Sequence, residues 1–184
     1  MIKIMEPEQT PFQAAIKPGL IVGLILTVIT YLCYFVDFNI LGSSWLGFGS
    51  LAIYCGLIIY FGIQYRKELG GFMNFGTAFQ FSFYSLLVML LITTLGNMLL
   101  FLGLDPGLGE KMADVGLKNT MEIMDTFGAG EMSSGQMEEI RQGILQGYTP
   151  IGLLKGAGFM VIFYAILALI LGAIIKKKDK SLDY

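Results

Sequence analysis

The stretch LGGFMNFGTAFQFSFYSLLVMLLITTLGNMLLFLGL, residues 69–104, contains no charged side chain. Three further charge-free stretches occupy residues 18–36, 38–65 and 156–175. A helix needs roughly 20 apolar residues to cross the hydrocarbon core of a bilayer, whereas a helix of a soluble domain keeps one polar face for water. We therefore predict an all-α integral membrane protein, a four-helix bundle. The predicted spans cover residues 19–38, 45–64, 77–102 and 151–175.

The composition agrees with this class, because charged residues make up 14% of the chain against about 25% in soluble proteins. The spans and one long loop use nearly all of residues 1–184, so we predict a single membrane domain. The absence of histidine excludes histidine-based catalysis and haem ligation by histidine. Cys33 and Cys55 lie in predicted spans without a metal-ligand spacing. We therefore predict no catalytic residue, metal site, cofactor or nucleic-acid partner.

The basic residues predict the orientation. They lie before span one, between spans two and three and after span four: Lys3, Lys17, Arg66, Lys67, Lys176, Lys177, Lys178 and Lys180. The connection between spans one and two has none. By the positive-inside rule, both termini are predicted to be cytoplasmic, and residues 105–150 form an outer loop.

The outer loop carries two helical patterns. Apolar residues recur at helical spacing in each: Ala113, Leu117, Met121 and Met124, then Met137, Ile140, Ile144 and Tyr148. Ser133 and Gln136 have the form of a capping box, and residues 128–130 form a glycine break. We predict two short amphipathic helices in this loop. Their apolar faces would lie on the membrane, cover the outer ends of the spans or dock a partner.

The connection between spans two and three is rich in glycine. Residues 69–77 therefore predict a tight turn, with Asn74 or Thr77 capping span three, or else a short re-entrant segment.

A few polar and small residues are candidates for contacts between helices. Asn97, within span three, is expected to hydrogen-bond a neighbouring helix, with a substrate contact as the alternative. Asp37, Asp105 and Lys155 are expected at the outer face, where two of them would form a structural rather than a catalytic pair. Small residues at four-residue spacing allow close helix packing, within the chain or between copies: Gly19 and Gly23, Ala52 and Gly56, Gly152 and Gly156.

Several of these features, in their order and spacing, resemble one family. They are Tyr65-Arg66-Lys67, then Gly70-Gly71, Phe75-Gly76-Thr77-Ala78-Phe79, Asp105-Pro106 and the lysine-rich end of span four. The chain resembles the uncharacterised four-helix Bacteroidota inner-membrane proteins known as domain of unknown function 4199. The resemblance implies a multi-pass protein of the bacterial inner membrane without an established activity. Genes of that family often neighbour those for membrane glycosyltransferases.

Three functions are compatible with these features. The first is a non-enzymatic accessory or scaffold subunit of an inner-membrane complex, with membrane lipid and either a membrane-protein partner or further copies of itself as partners. The alternative is a small transporter or lipid-flipping helper associated with a membrane glycosyltransferase. A polar transport path through the bundle would rely on hydroxyl and amide side chains of the spans: Thr27, Thr30, Ser82, Ser85, Thr93, Thr94 and Asn97. An intramembrane enzyme using Asp37 and Asp105 is the third. We expect the first.

Overall fold

The computed structural model describes residues 9–128 and 132–178, and in these residues it contains six α-helices. Helices α1 (Pro11–Val36), α2 (Ser44–Glu68), α3 (Phe75–Met98) and α6 (Pro150–Ile175) are long, and α4 (Leu108–Thr126) and α5 (Ser134–Gly147) lie between α3 and α6. Some residues used above lie outside the described ranges: Lys3, Lys180, Ala129 and Gly130.

Four of the helices are long and apolar enough to cross a membrane. They are α1, α2, α3 with its continuation to Leu104, and α6. The prediction of an all-α protein with four apolar spans is therefore confirmed. A π-helical turn, Leu99–Leu104, extends α3 beyond Met98, and a short 3₁₀ turn, Phe38–Gly42, joins α1 to α2.

Helix α1 begins earlier than predicted span one, which started at residue 19. The helix begins at Pro11, and Pro18 lies inside it, buried. The Thr10 side chain accepts a hydrogen bond from the Gln13 amide, and the Gln13 side chain accepts one from the Thr10 amide. The capping box satisfies free main-chain amides there, and the proline at the first helical position has no amide to satisfy, so the helix starts about two turns earlier than predicted.

Helix α3 lies at the centre of the bundle, between α1 and α6. Glycines bring these helices together. A Cβ atom on Gly19 of α1 would lie 2.6 Å from the Val88 Cβ, and one on Gly172 of α6 would lie 3.0 Å from the Phe79 main chain. Because lipid offers no hydrophobic drive for helix association, such close backbone packing supplies much of the stability.

The two ends of the bundle are built differently. At one end, here called the α4 end, α4 covers the ends of α1 and α3 through a small apolar cluster: Leu100, Phe101, Leu108 and Met112, with Tyr31, Tyr34, Phe38, Leu41, Val115 and Tyr148 against it. The opposite end, here called the lysine end, carries Arg66, Lys67 and residues 176–178.

At the lysine end the connection between α2 and α3 is a turn rather than a re-entrant segment. Gly70 (φ 85°) and Gly71 (φ 91°) adopt left-handed conformations that other residues avoid. Their amides donate to the carbonyls of Lys67 and Arg66, which closes the end of α2. The Asn74 side chain then accepts from the Thr77 amide (2.8 Å) and caps α3, as predicted.

Candidate functional site

Helices α2 and α6 meet at the lysine end and separate towards the α4 end. Where they meet, a Cβ atom on Gly62 of α2 would lie 2.5 Å from Cδ1 of Ile175 in α6. Near the start of α2, a Cβ atom on Gly47 would have no neighbour within 4 Å. The space between the helices is a cavity of about 390 Å³ lined by Ser44, Gly47, Phe48, Leu51, Tyr54 and Phe163. We call this space the α2/α6 groove.

Glycine also occurs on the α6 side of the α2/α6 groove. Gly156 lies two helical turns before Phe163, and therefore on the same face of α6. A Cβ atom on Gly156 would have no neighbour within 4 Å, just as on Gly47. Both helices thus present bare main chain where they separate, a surface that another backbone can approach closely.

Two buried tyrosines lie at the level where the groove narrows. The rings of Tyr54 and Tyr164 pack edge to face, with 6.0 Å between their centroids. Only 8% of Tyr54 and 9% of Tyr164 is exposed. Among the described residues, neither hydroxyl has a hydrogen-bond partner, and neither hydroxyl oxygen is completely buried. Tyr54 lines the groove, so it presents a polar group that an occupant of the groove can satisfy.

The sequence reasoning missed these tyrosines. A signal was present in α2, where Leu51, Tyr54, Ile58, Gly62 and Tyr65 recur at helical spacing and lie on one face. A tyrosine inside such a stripe, far from both ends of the span, points into the bundle rather than to the membrane interface.

The predicted site residue Asp105 lies at the α4 end, in a small polar cluster. The Lys111 ammonium donates to Asp105 Oδ2 (2.9 Å), the Tyr34 hydroxyl donates to the same oxygen (3.2 Å), and the Gly107 amide donates to Oδ1 (3.1 Å). The hydrogen bond from Lys111 lowers the pKa of Asp105, and the same bond raises the pKa of Lys111. The cluster ties the start of α4 to α1.

The expected pair among Asp37, Asp105 and Lys155 does not form. The partner of Asp105 is Lys111, six positions along the chain and therefore already close. Asp37 instead accepts from the amide and the side chain of Asn39 (2.9 and 2.8 Å) and starts the 3₁₀ turn. Lys155 is exposed and has no ion pair in the part of the chain that the structure describes. In the part of the chain that the structure describes, Asp37 and Asp105 share no hydrogen-bond partner.

Asn97 is partly buried near the end of α3, and its side chain makes no hydrogen bond to another described residue. The polar link between α1 and α3 at this level comes from Tyr31, whose hydroxyl donates to the carbonyl of Gly96 (3.0 Å). A tyrosine reaches the neighbouring main chain from α1, whereas the shorter amide of Asn97 lies one position further around α3.

Gly152 and Gly156 differ in what surrounds them, although their spacing suggested one packing face. Gly152 lies against the carbonyl of Gln146, across the turn that joins α5 to α6, and leaves no room for a Cβ atom. Its amide donates to the Thr149 side chain (3.1 Å), which caps α6. Gly152 therefore shapes a turn, and Gly156 remains available on the groove side of α6.

A family model matches residues 17–177, from the second turn of α1 to the segment after α6, and its description is "Protein of unknown function (DUF4199)". The chain belongs to this family. The family resemblance inferred from the sequence is thereby confirmed, and the match includes both walls of the α2/α6 groove. No curated protein and no solved structure matches the chain.

Proposed function

We propose that the protein is a non-enzymatic accessory or scaffold subunit of a bacterial inner-membrane complex, and that a transmembrane helix of a partner protein docks in the α2/α6 groove. The observation that carries the proposal is the groove itself. It combines glycine on both helices, at Gly47 in the cavity wall and at Gly156 on the face of α6 that carries Phe163, with a Tyr54 hydroxyl that has no hydrogen-bond partner among the described residues.

A helix explains these features better than a lipid chain does. Lipid tails pack against any apolar side chain, whereas close approach of two helix backbones needs glycine or another small residue. The bundle uses glycine in this way at Gly19 and Gly172, which lie against main-chain atoms of α3. A hydroxyl, amide or carbonyl of the docked helix would satisfy Tyr54, a contact worth about 0.6–2 kcal/mol in a membrane.

The proposed orientation has both termini in the cytoplasm and α4 and α5 outside. It is supported by the basic residues Arg66, Lys67 and Lys176–Lys178, which gather at the lysine end. The α2/α6 groove then opens in the outer half of the membrane. A partner helix would enter it from the lipid, beside the starts of α2 and α6.

The test is site-specific photo-crosslinking in native membranes. A benzoylphenylalanine at position 48, in the groove, should crosslink to one membrane protein, and the same probe at Leu24, an exposed residue of α1, should not. Purification in mild detergent should then recover that protein in a fixed ratio. Crosslinks between two copies of this chain would instead assign the groove to a homo-oligomer. Capture of lipid alone at position 48 would overturn the proposal.

A pair of leucine substitutions sharpens the test. Gly47→Leu fills the groove, whereas Gly49→Leu adds the same side chain about 200° around α2, where a Cβ atom also meets no neighbour within 4 Å. We expect Gly47→Leu to abolish recovery of the partner and Gly49→Leu to preserve it. Equal recovery in both variants would refute docking at this face.

The alternative, a small transporter or lipid-flipping helper, has weaker support. Hydroxyls on which a polar path would depend are occupied: Thr27, Thr30 and Thr93 donate to carbonyls of their own helices, at 2.8, 3.0 and 3.1 Å. Ser82 is fully buried and its hydroxyl has no partner among the described residues, while the buried hydroxyl of Ser85, one turn along α3, donates to the carbonyl of Ala15 at 3.4 Å. Protein-dependent lipid or solute flux in liposomes containing only this chain would favour transport over the scaffold proposal.

A further inference from the structure

The lysine end of the bundle contains a second, independent feature. The segment that leaves α6 pairs with the turn between α2 and α3: the Met73 amide donates to the Lys177 carbonyl and the Lys177 amide to the Met73 carbonyl, both at 2.9 Å. Arg66 adds to this connection, since its Nη1 donates to the carbonyl of Ile175 at 2.6 Å. Residues 176–178 are therefore held in place beside the turn.

A cavity of about 270 Å³ lies between these two segments. It is lined by Leu69, Phe72, Met73, Asn74, Thr77, Lys177 and Lys178. We call it the lysine cleft. Its wall is largely apolar, and two ammonium groups stand at its rim. Met73 forms the buried floor of the cleft, whereas Phe72 is 41% exposed and lies at its opening.

Cations and aromatic rings are combined around the cleft. Lys177 Nζ lies 5.6 Å from the centroid of the Phe72 ring, and Lys176 Nζ lies 5.6 Å from that of Phe75. Lys176, Lys177 and Lys178 are exposed, and none of them forms an ion pair within residues 9–128 and 132–178. The positive charge of these lysines is therefore not neutralised by any described residue around the cleft. This charge favours an anionic ligand.

We propose that the lysine cleft binds the headgroup of an anionic phospholipid. The phosphate would pair with Lys177 and Lys178, and the glycerol and the first acyl carbons would contact Phe72 and Leu69. The cleft lies where α2 and α6 end and α3 begins, which is the level of the membrane interface for helices that span a bilayer. A soluble anion would use the ammonium groups but not the exposed aromatic and aliphatic wall, so the amphipathic lining favours a lipid.

This inference does not depend on the α2/α6 groove, which lies in the other half of the bundle. If a partner helix docks in the α2/α6 groove but the lysine cleft binds no lipid, only the lipid proposal fails. If the cleft binds lipid but no partner docks in the groove, only the scaffold proposal fails.

The experiment uses the full chain in detergent micelles and a short-chain phosphatidylglycerol as the probe, with phosphatidylcholine for comparison. We expect native mass spectrometry to retain phosphatidylglycerol on the wild type and to retain phosphatidylcholine much less. The double variant Lys177→Gln with Lys178→Gln should weaken phosphatidylglycerol binding about 25-fold, because each lysine near a lipid surface contributes a factor of about five. The backbone pair between Met73 and Lys177 stays intact in this variant.

The matched control carries Lys118→Gln with Lys155→Gln, two exposed lysines remote from the cleft. Its affinity should stay within about twofold of wild type. Equal weakening of phosphatidylglycerol binding in both double variants would mean that only the overall charge of the protein matters, and it would overturn the proposal. Equal retention of phosphatidylglycerol and phosphatidylcholine by the wild type would also overturn it.

Two further measurements distinguish a lipid phosphate from a soluble anion, and a third confirms folding. Phe72→Ser should weaken phosphatidylglycerol binding, whereas inorganic phosphate at millimolar concentration should fail to displace the lipid from the wild type. Displacement by inorganic phosphate, or an unchanged affinity in Phe72→Ser, would assign the lysines to a soluble anion and overturn the lipid proposal. Circular dichroism confirms that each variant is folded, and a variant that unfolds is replaced by Lys178→Gln alone, for which we expect about fivefold weakening.

Discussion

Replacing Gly19 by alanine should force α1 and α3 apart. A Cβ atom at this position would lie 2.6 Å from the Val88 Cβ and 2.7 Å from the Ser85 carbonyl oxygen. Carbon atoms do not normally approach so closely, and the Ser85 oxygen belongs to the main chain of a helix, which cannot rotate away. The two helices must therefore shift, and overpacking of this kind costs about 1–3 kcal/mol.

Gly158 provides a matched control, because it lies inside α6 and a Cβ atom there would have no neighbour within 4 Å. Alanine is favoured over glycine in a helix by about 1 kcal/mol at either position, so this contribution cancels when the two variants are compared. We expect the unfolding free energy of Gly19→Ala to be about 1–3 kcal/mol lower than that of Gly158→Ala.

The assay is reversible unfolding of the purified chain in mixed micelles, with increasing dodecyl sulfate and helicity followed by circular dichroism. Wild type and both variants are measured in the same detergent. If Gly19→Ala and Gly158→Ala have equal unfolding free energies, α1 and α3 do not approach as closely as described, and glycine packing does not hold this pair of helices together.

Three further predictions concern polar contacts. The Lys111 hydrogen bond lowers the pKa of Asp105 below its ordinary 3.8, so the stability gained from this pair is complete above that pH and is lost as the pH falls below it. Thermal unfolding from about pH 6 to about pH 3 should therefore show a steeper acid loss in wild type than in Asp105→Asn, and parallel curves would contradict the pairing. Tyr31→Phe removes the 3.0 Å hydrogen bond to the Gly96 carbonyl and should lower the unfolding free energy by about 0.6 kcal/mol in the micelle assay, whereas an unchanged value would mean that the bond contributes nothing. Arg66→Gln breaks the 2.6 Å hydrogen bond to the Ile175 carbonyl and should cost about 1 kcal/mol after allowance for its partial exposure, with Lys67→Gln, an exposed neighbour, as the neutral control.

Local signals in the sequence predicted local structure well. The charge-free stretches predicted four long apolar helices, because a membrane span must be apolar on every side. The Ser133 and Gln136 capping box forms as its pattern predicts, with hydrogen bonds in both directions. Asn74 caps α3 for the same reason. Each cap depends only on residues within one turn of each other, and each span on one continuous stretch of sequence.

Contacts between distant parts of the chain were harder to predict from the sequence. The spacing of Gly19 and Gly23 resembles that of Gly152 and Gly156, yet the first pair packs against α3, whereas Gly152 shapes a turn and Gly156 borders open space. A four-residue spacing identifies a face of a helix without saying which neighbour covers it. The sequence likewise suggested a pair among Asp37, Asp105 and Lys155, whereas Asp105 pairs with Lys111, six positions along the chain.

By itself, the sequence determined that this is a helical, multi-pass membrane protein and where its four long apolar helices lie, because burial in lipid is a requirement on each stretch of sequence separately. Only the tertiary structure decided that α2 and α6 separate to leave Tyr54 beside an open groove, and that Met73 and Lys177 join two distant segments into the lysine cleft. The physical reason is that lipid is as apolar as the side chains it surrounds. Hydropathy therefore cannot distinguish a helix face that packs against protein from one that faces lipid, and that choice depends on shape and on a few long-range hydrogen bonds.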